Sequence, residues 1–265
     1  SPGSGTVKAT LKSNPSMVQT TSVSVAGASG GTYQAEIPLK AGINIFSLPL
    51  KSAATVTASQ LGADLGATVL IRAVNGTFQA YVPQGSFGTD FPLQMGAGVI
   101  VNLLQPQTYK LKGTAWGTQV ASAPAPSPAA VGGIWAFVVA GQLNGRIPVG
   151  SRLDVVNLSR GYQAEAELSG TGQFLASFVD PSRREVVQVG DRLSIRLLDQ
   201  KGNLMEELDS RLISSQQLRQ AFLSFEVAAS PGQTQLLQNY PNPFNPETWI
   251  PFQLAEATEV SISIY

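Results

Sequence analysis

The chain has 265 residues, 43% of them apolar and only 13% charged, with 17 lysines and arginines balancing 17 aspartates and glutamates. That balance leaves no net field to hold nucleic-acid phosphates or an anionic membrane surface, and no run of about 18 apolar residues offers a membrane span. With neither cysteine nor histidine, a disulfide framework, a thiolate nucleophile, an imidazole base and the usual structural zinc ligands are excluded, and with them most hydrolase and metalloenzyme mechanisms.

The length suits two domains and part of a third. The opening SPGSGTVKAT has neither an initiator methionine nor a basic-then-apolar leader, so the chain reads as a processed product or an excised piece. Residues 1–35 are expected to hold two strands as an N-terminal extension, one of them the alternating run Thr21–Val25 (TSVSV). They have too little apolar surface for a core of their own and are expected to dock on the next domain or on another molecule.

Residues 36–120 form the first predicted β domain. Alternating runs at Gly42–Leu50, Val69–Ala73, Thr77–Val82, Val99–Leu104 and Tyr109–Leu111 read as strands. Asn75-Gly76 marks a hairpin between two of them. Thr57–Leu65 (TASQLGADL) reads as a two-turn helix capped by Thr57 or Ser59. Residues 121–130 (ASAPAPSPAA) alternate proline with small residues and predict an extended, semi-rigid linker.

Residues 131–228 form the second predicted β domain, with strands at Trp135–Ala140, Arg152–Leu158, Gln163–Leu168, Phe174–Val179, Arg192–Leu198 and Phe222–Val227. Ser214–Phe222 is a second short helix, opened by Ser215 before good helix formers. The fold class is therefore all-β: two β-sandwich or immunoglobulin-like domains in tandem, followed by a partial β module at 229–265.

That last stretch reads LLQNYPNPFNPETWIPFQLAEATEVSISIY from Leu236. Asn239, Tyr240, Pro241, Asn242, Pro243, Phe244, Asn245 and Pro246, then alternating Thr248, Ile250, Phe252 and Leu254, then Glu259–Tyr265, resemble the opening of the type A sorting domain. This domain is carried by cargo of the bacterial type IX secretion system and is similar to an immunoglobulin-like module of flagellar hook-capping proteins. The prolines preset φ and lack an N–H, and the asparagines cap neighbouring backbone, so the segment is a stiff solvated corner entering a strand. The resemblance implies an exported bacterial protein and a module that continues through further strands past Tyr265. Ala41–Leu50 (AGINIFSLPL), Gly66-Ala67 and Met95–Val101 resemble β-rich modules of large surface proteins of environmental bacteria, with which no catalytic residues travel.

Carboxylate pairs are the remaining route to catalysis, through glycosidase chemistry. Asp180 with Asp191, Glu165 with Glu167 and Glu206 with Glu207 are the candidates, and all read as solvated charges or turn caps. Calcium would need a denser oxygen run than scattered Asp180, Asp191 and Asp199. Phe78, Tyr81, Phe87, Phe91, Trp116 and Trp135 are available for stacking on a glycan, but their odd spacing favours core packing.

The resulting expectation is a non-catalytic protein of the bacterial surface or extracellular space, with no cofactor or metal. Its partners are expected to be copies of itself, joined by strand exchange into a filament. Val260, Ile262 and Ile264 form one face that needs cover, and Thr21, Val23 and Val25 are a second candidate donor. The alternatives are a glycan-binding adhesin module or a non-catalytic part of a larger exported protein.

Overall fold

The computed structural model describes residues 3–11, 14–29, 32–93, 98–114, 133–144, 147–148, 150–228, 235–236, 238–240, 242–243, 246–254 and 259–263. The Pro/Ala linker at 121–130 lies outside the described residues. The fold is all-β, with two short helices among the described residues.

The first sandwich opens with β1 (Gly3–Leu11), β2 (Asn14–Ser29) and β3 (Thr32–Leu39). Then come β4 (Gly42–Phe46), α1 (Ala58–Leu65), β5 (Ala67–Val74), β6 (Thr77–Val82), β7 (Phe87–Gly88), β8 (Val99–Leu103) and β9 (Gln107–Gly113). They make two antiparallel sheets, ordered β1-β2-β3-β9 and β4-β8-β5-β6-β7. Ala35, Ile37, Leu39, Tyr109 and Leu111 of one sheet meet Phe46, Leu70, Val99 and Val101 of the other, and α1 closes that core with Leu61 and Leu65.

Local chemistry sets the elements. Thr57 caps α1 from an extended backbone, its side chain accepting from the Gln60 N–H. Gly66 ends the helix in the left-handed region at φ +60, which costs glycine nothing. The Asn75-Gly76 turn joins β5 to β6 with both residues at positive φ, the pairing geometry that matches strand twist.

The second sandwich holds β10 (Ala136–Asn144), β11 (Arg152–Asn157), β12 (Tyr162–Glu165), β13 (Glu167–Leu168) and β14 (Gln173–Val179). It continues with β15 (Arg192–Leu198), β16 (Leu204–Leu212), α2 (Ser215–Gln220) and β17 (Phe222–Ala228). Its sheets run β13-β14-β10-β17 and β12-β11-β15-β16. Phe137, Val139, Phe174, Phe178, Leu223 and Phe225 pack onto Leu153, Val155, Leu193 and Ile195 between them. Buried Ala166 is where the chain crosses from β12 in one sheet to β13 in the other. The strand predicted to run through 163–168 is thus two strands. The N-cap of α2 is Ser214, one residue before the predicted cap, with a capping box to Gln217.

A third apolar core lies between the sandwiches. Ile45, Val69, Ile71, Ala80, Val82 and Ile100 on the outer face of the five-stranded sheet pack against Ala136, Val138, Ala140, Leu175 and Phe222, with Trp135 at the margin. The four sheets therefore stack face to face, and the two inner ones are buried on both faces. This is why β8 (VIVNL) is buried throughout and β10 nearly so. Beyond them, β18 (Gln235–Leu236) and β19 (Phe252–Gln253) form a two-stranded antiparallel ladder.

Tyr109 supplies a pH test of the first core. Burial, with the Asp64 carboxylate adding to it, pushes its phenol up to about 12. A tyrosine in an unfolded chain ionises near pH 10, so between about pH 10 and 12 the native state binds more protons than the unfolded one. Stability falls as pH rises through that window. Tyr109→Phe is expected to flatten that alkaline loss in a series of thermal melts, and an unchanged slope would show that another group carries it.

Candidate functional site

Asp180 and Asp191, read from the sequence as solvated or capping charges, are both buried. Asp180 does cap a turn, accepting from the Ser182 N–H at 2.7 Å, but it also pairs with Arg184 Nε at 2.9 Å and accepts from the Tyr162 hydroxyl. The same environment, burial first and then the Asp180 charge, raises the Tyr162 phenol above its ordinary value. Asp191 Oδ2 accepts from Arg160 Nε at 2.7 Å, Asn157 Nδ2 at 2.9 Å and the Gln188 N–H at 2.9 Å. The correction is therefore one of burial: two charges the sequence left in water are inside and matched to arginines, as buried charges must be.

Neither carboxylate is aimed at the other, and each has its own arginine. Glu165 and Glu167 are exposed on strands of different sheets. Glu206 and Glu207, expected just past a turn, lie inside the edge strand β16, where Glu207 sits 3.6 Å from Arg196. Asp199 caps its own turn through the Lys201 and Asn203 N–H groups. Among the described residues no cluster of three metal-binding side chains occurs. A cleft of about 460 Å³ beside β17, lined by Phe87, Gln142, Arg211, Phe222, Ser224 and Glu226, holds one carboxylate. Its guanidinium is already bound to Asp209.

The aromatic candidates are core residues. Tyr81, Phe91 and Trp135 are buried, and Phe78 and Phe87 pack against the core between the sandwiches. Trp116 lies outside the described residues.

Among the described residues, the exposed aromatic surface is at the C-terminal hairpin. Leu236 stands opposite Phe252, and Tyr240 opposite Trp249 in a bridge with reciprocal backbone hydrogen bonds of 3.0 and 2.8 Å. Directly opposed residues share one face of a ladder, and these four side chains are 73, 45, 76 and 77% exposed. Asn239 ties the two arms together, donating from Nδ2 to Thr248 Oγ1 at 3.2 Å. Asn242, Pro243 and Pro246 are exposed, as a solvated corner requires, and the Asn242-Pro243 bond is cis. Pro241, Phe244 and Asn245 lie outside the described residues.

Val260 and Ile262 are exposed in a stretch, 259–263, that has no ladder partner among the described residues. Among the described residues 259–263 no strand is formed, since extended backbone becomes a strand only when a neighbour accepts its hydrogen bonds. Ile264 lies outside the described residues. Thr21, Val23 and Val25 sit in β2, opposite Val7, Gly5 and Gly3 of β1, and Val25 also faces Ala35 of β3. In this structure the N-terminal segment is paired within its own sheet, the first of the two dockings expected for it.

No family model matches the chain, and no curated protein matches it.

Proposed function

We propose that the chain is a non-catalytic structural module of a secreted or surface-attached bacterial protein, a stiff β body that associates with other copies of itself through its C-terminal hairpin. The observation that carries this reading is the exposed set Leu236 and Phe252 on the two-stranded ladder with Tyr240 and Trp249 on the adjoining bridge. A hairpin of this size is marginal alone in water, and large apolar side chains gathered on one are the mark of an interaction surface. The likeness of residues 236–265 to a sorting domain supports the placement outside the cell. Association proceeds by strand addition: the unpaired stretch containing Val260 and Ile262 completes a sheet against a neighbouring copy, whose edge supplies main-chain hydrogen bonds.

Sedimentation velocity of the full chain is expected to give species that grow with concentration, while Trp249→Ser/Phe252→Ser stays monomeric with an unchanged circular dichroism spectrum. A full chain that remains monomeric at every concentration rules the reading out. A second reading, a glycan-binding module, is favoured by the Tyr240–Trp249 pair on one ladder face. Saturable quenching of tryptophan fluorescence by a polysaccharide, lost in Trp249→Ser, decides for it if the chain is monomeric.

A further inference from the structure

We infer that the joint between the two sandwiches is a self-sufficient protein–protein interface, in which each half of the chain binds the other specifically without help from the segment that connects them. This goes beyond the assembly reading and does not depend on it.

Each sandwich closes its own core between its own two sheets, so the core at the joint is additional to both. The joint's apolar core draws six side chains from the first sandwich and chiefly Val138, Ala140, Leu175 and Phe222 from the second. A packed apolar centre shared by two bodies is the composition of obligate interfaces. Left uncovered, it would be a contiguous apolar patch of the kind soluble monomers avoid.

The fit is specific in shape. A Cβ on Gly88 would lie 2.2 Å from the Ala80 carbonyl oxygen and 2.9 Å from Leu175 Cδ1 of the other half. The glycine is required first by its own sheet, and its missing Cβ also leaves room for the end of the Leu175 side chain. Nearby, Phe87 of the first half meets Phe222 of the second with ring centres 6.3 Å apart, within the range of favourable aromatic pairs.

It is also specific in polarity. The last turn of α2 leaves carbonyls without an intrahelical donor, and two side chains of the first sandwich supply them. Thr68 Oγ1 donates to the Gln220 carbonyl at 2.7 Å, and Asn102 Nδ2 to that of Arg219 at 2.9 Å. Asn102 also donates to Thr68 at 2.8 Å and is buried. A docking shifted by one residue would leave both helix carbonyls without these donors in an apolar setting. Unpaired buried polar groups are costly enough to fix the register. The connecting segment then only raises the effective concentration of one half near the other.

The test keeps the full chain and introduces a specific protease site within 121–130. After complete cleavage the two fragments are expected to co-elute as a one-to-one complex, with a dissociation constant below about 1 µM. Thr68→Val/Asn102→Leu in the cut protein is expected to weaken association about tenfold or more, while the near-ultraviolet circular dichroism of each fragment is retained. Separation of the cut wild-type chain into two folded fragments overturns the inference. So does a double variant that associates as tightly as the wild type, because the polar register would then contribute nothing to recognition.

Discussion

Gly141→Ala is expected to destabilise the fold by about 3 kcal/mol, and Gly141→Val by about 5. Gly141 lies on β10, between β14 and β17, paired with Phe174 on one side and Phe225 on the other. Phe137, Val139 and Leu143 of that strand point into the core of the second sandwich, and alternation sends position 141 the same way. A Cβ there would meet the Phe225 carbonyl oxygen at 2.2 Å and Phe174 Cζ at 2.7 Å. A flexible side chain could yield, but the first obstacle is backbone inside a sheet, so relief requires parting β10 from β17. Urea denaturation at constant slope measures the loss. Gly170→Ala is the control, because a Cβ there meets nothing within 4 Å and the change should stay within about 0.5 kcal/mol. If Gly141→Ala proves as mild as the control, the backbone contact relaxes freely and the packing argument fails.

What could be read in advance was local. The Thr57 cap, the Asn75-Gly76 hairpin and most alternating runs follow from residue-level preferences, and they appear at the expected positions. Five strands were not located in advance: β1, β3, β7, β16 and β18. The ladder of β16 against β15 is broken twice by register irregularities, and each bulge interrupts the period of two that would have betrayed the strand. The stacking of the sandwiches had a visible trace, since VIVNL and AFVVA lack the polar positions a half-exposed strand would show. Runs apolar on both faces imply two covers. Asn102, the one polar residue in VIVNL, marked where the second cover brings a polar partner.

The candidate site was legible in part. Its motif pointed to a solvated corner and the alternation of Thr248, Ile250, Phe252 and Leu254 to a strand, but nothing in the spacing revealed that Tyr240 and Trp249 would face each other in the open. Which residues oppose each other depends on the register across the turn. Burial of Asp180 and Asp191 was likewise hidden, because their arginines come from positions that only the folded loops bring near.

Asp191→Ala is expected to cost about 3 kcal/mol, the lower end of the range for breaking a buried ion pair. The low end is chosen because Arg160, relieved of Asp191, keeps Glu185 at 3.2 Å through its other nitrogen. The remaining loss is still large. The Gln188 N–H loses its acceptor, and the Nδ2 of buried Asn157 keeps only the Val186 carbonyl. Three chain segments meet at this carboxylate: the turn after β11, the stretch 185–188 and the residue leading into β15. Their common anchor disappears together with the charge. Asp191→Asn retains an oxygen for the same donors without the charge and should lose about half as much. A double-mutant cycle with Arg160→Ala isolates the pair, with an expected coupling of about 1.5 kcal/mol or more. Native-state hydrogen exchange at the Gln188 amide gives the local readout, since the N–H bonded to Asp191 should exchange far faster in Asp191→Ala than the amides of β10. Should the single variant cost less than about 0.5 kcal/mol, within the range of ordinary surface changes, or should Gln188 keep its protection, the carboxylate is not the anchor that its three hydrogen bonds indicate.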